Sequence, residues 1–346
     1  MDRARPLVAP APSDQLVQRA EACLLGLALG DAMGMPTQTL TPSEIAARYD
    51  RVEDFTAPYY DHPVSHGLTA AKVTDDTEQA FLMAERMIAD NGQIDLGKWV
   101  ADLLAWEADV ARRGLRDLLG PSSKAALEAV AAGADPSQTG KTGTTNGAAM
   151  RIAPLGLMAP PGDAKRLVDL VEGASFVTHH TGEAIAGAAA VCGAIAAFLD
   201  GAGQDKAMDD ALVASRLGQN RGALVGARDM AERIEAAIAY ANRAQSAAAL
   251  LSLIGTSVAT HEAVPAAFGL LALLDDPWDI AIAAANGGDD TDTIGAIACA
   301  MAGARGGMAA LPAAKIAQLR AANDLPVERL ARDLLALRPV TLEVGP

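Results

Sequence analysis

Residues 13–34 read SDQLVQRAEACLLGLALGDAMG, and the pattern fits a helix. Ser13 and Asp14 are good N-caps, so a helix is expected from there to about Gly30. Gly26, Gly30 and Gly34 recur every fourth residue. They give that helix a flat face on which another backbone, or a ligand, can lie; in a soluble chain, tight helix packing is the ordinary reason for such spacing. The remainder has the same character. Hydrophobic residues make up 51% of the 346-residue chain and aromatics only 3%, with Ala and Gly dominating the apolar fraction. Alternating apolar and polar runs are scarce. The expectation is an all-α protein.

Further helices are expected at 76–90, 94–113, 121–132, 163–172, 181–200, 205–215, 220–242 and 244–255, and then at 262–274, 277–285, 291–304, 313–321 and 326–337. Residues 36–73, with Pro36, Pro42, Pro58 and Pro63, read as a long irregular connection. Residues 135–149 read as a loop. No fixed-period repeat appears. Residues 1–12 read as a loose tail without the sustained apolar stretch of a signal peptide, and 13–340 as a single all-α domain.

A net charge of -15 with no basic run excludes nucleic acid as the expected partner. The longest uncharged stretch, Ala184 to Leu199, falls short of the roughly 20 residues of a bilayer span, so no membrane partner is expected. Cys23, Cys192 and Cys299 lie in apolar helical stretches and are odd in number, which fits reduced thiols in the cytoplasm.

Two aspartate-rich motifs, Thr74-Asp75-Asp76-Thr77 and Asp289-Asp290-Thr291-Asp292-Thr293, each fall where a helix is about to begin. Carboxylates held this close raise one another's pKa. A multivalent cation removes that cost, and clustered carboxylate and hydroxyl oxygens suit hard ions such as Mg²⁺ or Mn²⁺. Capping by Thr74, with Asp75, Asp76 and Glu78 in the first turn, would explain the first motif alone. It does not explain three aspartates alternating with threonines. In the second motif a tight turn aims Asp290, Asp292 and Thr293 at one ion. Together the motifs suggest a binuclear centre, its ions roughly 3.5–4 Å apart.

The stretch Gly140-Lys141-Thr142-Gly143-Thr144-Thr145 lacks the order of a phosphate loop and no strand precedes it. Asn146-Gly147 after it offers hydrogen bonds to sugar hydroxyls or phosphate oxygens, and Arg151 reads either as a partner for an anion or, the favoured reading, as a structural ion-pair partner of one of the aspartates. His179 and His180 open a Gly/Ala-rich helix, where an anion would bind. The five histidines show neither HExxH spacing nor Cys partners, so zinc is not expected.

Gly30-Asp31-Ala32-Met33-Gly34, Thr74-Asp75-Asp76-Thr77, Asn146-Gly147-Ala148-Ala149-Met150-Arg151, Thr178-His179 and Asp290-Thr291-Asp292-Thr293-Ile294-Gly295-Ala296 occur in the order seen in the ADP-ribosylglycohydrolase family. Over residues 20 to 305 the chain resembles that family, in particular the branch that includes the dinitrogenase-reductase-activating glycohydrolase. The resemblance implies a compact orthogonal all-α bundle with two Mg²⁺ or Mn²⁺ ions held at Thr74, Asp75, Asp76, Asp290, Asp292 and Thr293. It also implies a substrate whose ribose and phosphates run along Asn146, Gly147 and His179, with Asp31, Gln38 and Asp289 near it. The chemistry implied is cleavage of ADP-ribose from a protein side chain at the anomeric carbon, with Asp75, Asp76, Asp290 and Asp292 as the working carboxylates. Two positions depart from the family pattern: Gln38 stands where many relatives carry a glutamate, and Asp289 where the pattern has a second glycine. A smaller N-riboside as substrate, or ADP-ribose binding without turnover, are the alternatives these departures raise. Prenyl-diphosphate chemistry needs DDxxD spacing, which DDTEQ and DDTDT lack.

Overall fold

The glycine face of the first helix (Asp14–Gly34) meets the helix Thr291–Gly306 backbone to backbone. A Cβ placed on Gly26 would lie 2.2 Å from the Cys299 carbonyl oxygen, and one on Gly30 would lie 2.0 Å from that of Gly295. The approach is reciprocal, since a Cβ on Gly303 would lie 2.1 Å from the oxygen of Ala22. Only glycine allows contact this close along the whole length. Ser13 caps the start by accepting from the Leu16 amide at 3.2 Å. The helix continues past Gly30, because Asp31, Ala32 and Met33 are all buried within it.

This computed structural model describes residues 12–115, 119–160, 162–226 and 229–339. Residues 1–11 of the expected tail, and residue 340 at the end of the expected domain, lie outside the described residues. Eighteen α-helices and no strand are found among the described residues, so the fold class is all-α. The Gly182–Leu199 helix is longer than the uncharged stretch read from sequence and, by length and composition alone, apolar enough to cross a membrane, but it is buried along its full length within the protein. Its alanines and glycines let Gln204–Gln219 and Ala153–Met158 pack against it; a Cβ on Gly156 would already lie 2.7 Å from Ile195.

Four segments differ from expectation; one is the helix Ala153–Met158, where none was expected. The connection 36–73 contains a helix, Pro42–Tyr49, with proline in its first turn and a complete capping box between Thr41 and Glu44. Thr41-Pro42-Ser43-Glu44 is a readable helix start that the density of prolines hid. The helix expected from 220 begins only at Met230, where the Asp229 side chain accepts from the Glu232 amide. Within 135–149, Pro136–Thr139 and Gly147–Met150 each make one helical turn.

Candidate active site

Asp31 follows directly on Gly30, so the close helix pair carries it to the start of the helix Asp75–Ala89. There it does the work a local N-cap would do. Its Oδ1 and Oδ2 accept from the Thr74 amide at 3.0 and 2.9 Å, and Oδ1 accepts from Thr74 Oγ1 at 2.6 Å. Oδ2 also takes the Thr77 amide at 3.2 Å and Thr77 Oγ1 at 2.5 Å. Thr74 holds the N-cap position, but its hydroxyl donates to Asp31 and makes no cap bond of its own. With capping supplied from another helix, Asp75 and Asp76 are free to line a cavity.

The second motif reaches the same cavity by a strained turn. Gly288 and Asp289 both have positive φ, +87° and +55°, a region glycine enters freely and Asp tolerates better than most residues. The turn is pinned by hydrogen bonds from the Asp289 amide to the Leu40 oxygen at 2.8 Å and from the Thr39 amide to the Asp289 oxygen at 2.6 Å. The Asp290 amide donates to Thr256 O at 2.9 Å. Thr291 turns away from the cavity and donates to the Gly34 carbonyl at 2.8 Å, which ties the motif back to the first helix. Asp290, Asp292 and Thr293 line the cavity, and Asn146 Nδ2 donates to Asp290 Oδ2.

The cavity holds about 430 Å³. Of the residues singled out from sequence, Gln38, Asp75, Asp76, Asn146, Gly147, Asp289, Asp290, Asp292 and Thr293 line it. Asp31, Thr74 and His179 do not: each is fully buried behind the lining. Oxygens of Asp31, Asp76 and Asp292 all lie within 4.8 Å of one another. Asp31 has spent both oxygens on the threonines, whereas Asp76 Oδ1 is buried with no hydrogen-bond partner. An unpaired buried carboxylate oxygen beside other carboxylates is costly, and a hard cation relieves that cost. The donor set fits a divalent ion bound by oxygen.

Electrostatics agree with that fit. Burial pushes the carboxyl of Asp31 up to about 6 against the opposing hydrogen bonds from Thr74 and Thr77. Asp290 also rises to about 6 through burial, opposed by Asn146 and Thr293. Burial and then the neighbouring carboxylates raise Asp75, Asp76 and Asp292 well above the ordinary range; Asp31 acts first on Asp75, Asp292 on Asp76 and Asp290 on Asp292.

His179 braces the cavity wall from behind. Its Nε2 is 3.0 Å from Thr145 Oγ1 and its Nδ1 is 2.8 Å from Thr178 Oγ1. A Cβ on Gly147 would sit 2.8 Å from its ring, so the ring underlies the Asn146–Gly147 turn. Burial, then Arg151, hold it neutral well below its ordinary pKa. Gln38 donates through Nε2 to Ser65 Oγ at 3.0 Å. Arg151 does not pair with an aspartate as expected; its bonds go to Gln79 at 2.8 Å and Thr178 at 2.5 Å. Gln79 and the wall at Gly120-Pro121 and Ser123 went unread in the sequence. The spacing of Gln79 four residues after Asp75, on one helix face, is the one signal for it.

The family model of ADP-ribosylglycohydrolase matches residues 12–342. YegU, an uncharacterised protein of Escherichia coli K12, is 33% identical over 326 residues, 93% of this chain and 97% of the relative. An uncharacterised protein of Archaeoglobus fulgidus is 33% identical over 286 residues, 82% of this chain and 86% of its own. The ADP-ribosyl-(dinitrogen reductase) glycohydrolase of Rhodospirillum rubrum is 29% identical over 169 residues, 47% of this chain and 51% of that enzyme. A solved chain from an ADP-ribosylglycohydrolase-related protein complex superposes with a TM-score of 0.68 at 24% identity, covering 94% of this chain and 99% of the other. That likeness is one of fold.

Proposed function

We propose that this chain, which belongs to the ADP-ribosylglycohydrolase family, hydrolyses the N-glycosidic bond that joins an ADP-ribosyl group to a side chain of the arginine type. The observation that carries the reading is the convergence of Asp75, Asp76, Asp290 and Asp292 on one cavity, with Asp76 Oδ1 buried and unpaired. Asp75, Asp76, Asp290 and Asp292 would hold two divalent ions, Mg²⁺ or Mn²⁺, with the hydroxyl of Thr293 beside them; the Thr74 hydroxyl, expected in the set, is taken up by Asp31 behind the lining. When bound, such ions neutralise the cluster, anchor ribose hydroxyls and make a bound water more acidic.

The chain's own residues do the rest. One of the four aspartates takes the proton of the attacking water. Water oxygen bonds to the anomeric carbon, the bond to the leaving nitrogen breaks, and that nitrogen takes up the proton the carboxylate removed from the water. Positive charge develops on the ribose as the bond stretches, and the surrounding carboxylates stabilise it. The Asn146 carboxamide, held through Nδ2 by Asp290, keeps its oxygen for a sugar hydroxyl, and Asp31 keeps the first motif in place.

A second reading has one observation in its favour. Asp289 adds an exposed carboxylate at the cavity rim, which disfavours a diphosphate and favours a smaller, less anionic N-riboside. The test is release of free sugar, followed by mass spectrometry, from ADP-ribosyl-arginine and from a panel of simple nucleosides. Cleavage of the first alone supports the main reading, and cleavage of nucleosides alone selects the second. An Asp292→Ala protein that is folded and fully active on either substrate sinks both.

A further inference from the structure

Arg151 is a buried charged residue beside the site that does not line the cavity. It is 1% exposed, and its guanidinium stands 5.6 Å from the Trp99 ring centroid. Both of its side-chain hydrogen bonds go to neutral groups, Gln79 Oε1 and Thr178 Oγ1. Burying a guanidinium without a carboxylate partner costs several kcal/mol, so a gain is to be sought elsewhere. That gain is direction. Arginine has only donors, so each group it touches must present an acceptor to it.

On one side, Gln79 must turn Oε1 to Arg151, which leaves Nε2 to donate to Asp75 Oδ2 at 3.4 Å. On the other, the Thr178 oxygen accepts from Arg151. The buried Thr178 hydroxyl proton then has His179 Nδ1, 2.8 Å away, as its acceptor, and leaving it unpaired would cost about 1–3 kcal/mol. His179, held neutral, must therefore carry its proton on Nε2 and donate it to Thr145 Oγ1 at 3.0 Å. Thr145 lines the cavity, and its own proton is left to point there.

We infer that Arg151 is a positioning residue that fixes the polarity of a buried chain running from Asp75 through Gln79, Arg151, Thr178 and His179 to Thr145, so that Thr145 offers the substrate a donor. The group it meets is an acceptor oxygen of the substrate, on sugar or phosphate. The inference rests on the proposed function only in taking this cavity as the substrate site.

The first test needs no substrate. Long-range ¹⁵N–¹H correlation spectra of the full chain, with His179 assigned through His179→Gln, report which ring nitrogen bears hydrogen. Nε2–H with a bare Nδ1 is expected, and Nδ1–H in the folded wild type overturns the inference. Thr178→Val cuts the link without removing the charge, and serves if Arg151→Met does not fold; the fixed tautomer should be lost in Thr178→Val and kept in Thr178→Ser. A tautomer unmoved in a folded Thr178→Val protein also overturns it.

The second test uses whichever substrate is cleaved. Thr145→Val should raise KM roughly 5- to 20-fold, the loss of one hydrogen bond, with kcat less affected and Thr145→Ser close to wild type. Thr178→Val should do the same, and the double variant should be no worse than either. Additive losses would count against a chain acting as one. The same variants on a riboside lacking phosphate separate the acceptors: a KM effect retained there assigns a sugar oxygen, and one confined to the ADP-ribosyl substrate assigns a phosphate.

Discussion

Replacing Gly30 with alanine sets two opposite effects against each other. In an isolated helix the change stabilises by about 1 kcal/mol, because glycine has the poorer helix propensity. In this protein the added Cβ would lie 2.0 Å from the Gly295 oxygen, 2.2 Å from its carbon and 2.7 Å from the Ala296 nitrogen. All three are backbone atoms, so no side chain can swing aside. Ordinary contact begins at 3.4 Å, and the two helices must part by more than an ångström to reach it. Overpacking in cores costs about 1–3 kcal/mol and occasionally more. Here the rigid obstacle and the loss of contact along a whole helix pair put the net cost at about 3 kcal/mol or above. For a chain of 346 residues that is a fall in Tm of roughly 4 °C. Gly173→Ala is the control. Gly173 lies inside the helix Ala164–Ser175, and nothing stands within 4 Å of its added Cβ, so a gain of about 0.5–1 kcal/mol is expected. Urea unfolding of both variants reads the difference. A Gly30→Ala protein as stable as wild type, beside a Gly173→Ala protein that behaves as stated, would refute the reasoning.

Asp31→Ala removes the acceptor for two amides and two hydroxyls at the start of Asp75–Ala89. It should cost about 2–4 kcal/mol in urea unfolding, and a loss under 1 kcal/mol would mean that Thr74 caps the helix unaided. The stability gained from Mn²⁺ should grow with pH. Asp31 and Asp290 are held at about 6 in the fold, above their ordinary 3.8, so between about pH 4 and 6 the metal-free fold binds more protons than the unfolded chain. Those carboxylates therefore make the fold less stable as pH rises through that window, and at Asp290 a divalent ion competes with the same proton. His62 and His179 are held below their ordinary pKa by burial and act in the opposite sense, destabilising the fold below about pH 6.5. The quantity to compare is thus the rise in Tm on adding Mn²⁺, by calorimetry at pH 5 and pH 8, and a rise as large at pH 5 as at pH 8 would count against ion binding by these groups.

The residues that could be read from sequence were those whose chemistry is local. Ser13 announces its helix start within four residues; Asp229 and the Thr41–Glu44 box do so too, but the first was passed over for a start at 220 and the second was masked by its prolines. The aspartate motifs stood out because their charge is excessive for capping. What could not be read was each partner supplied from far along the chain. Asp31 caps a helix 43 residues away, and Asn146 meets Asp290 across 144. Thr74 has the identity and position of an N-cap, yet its hydroxyl points the other way. No local pattern distinguishes a residue that caps from one that is capped by a distant carboxylate. His179 is a related case: a histidine at a helix start suggests an anion, and its packing under the Asn146–Gly147 turn could not be read locally.

Fold and site here depend on the same close approach. Gly30 and Gly295 bring two backbones into contact, and that contact sets the neighbours of each glycine, Asp31 on one side and Asp292 through Ile294 on the other, around one point. A bulkier helix pair would hold its axes further apart. Asp31 would then fall short of Thr74 and Thr77, the hydroxyl of Thr291 would lose the Gly34 carbonyl, and Asp76 and Asp292 would separate beyond the reach of a shared ion. The small residues that make the sequence look bland, with 3% aromatics, are what let so many carboxylates be gathered and buried in one place.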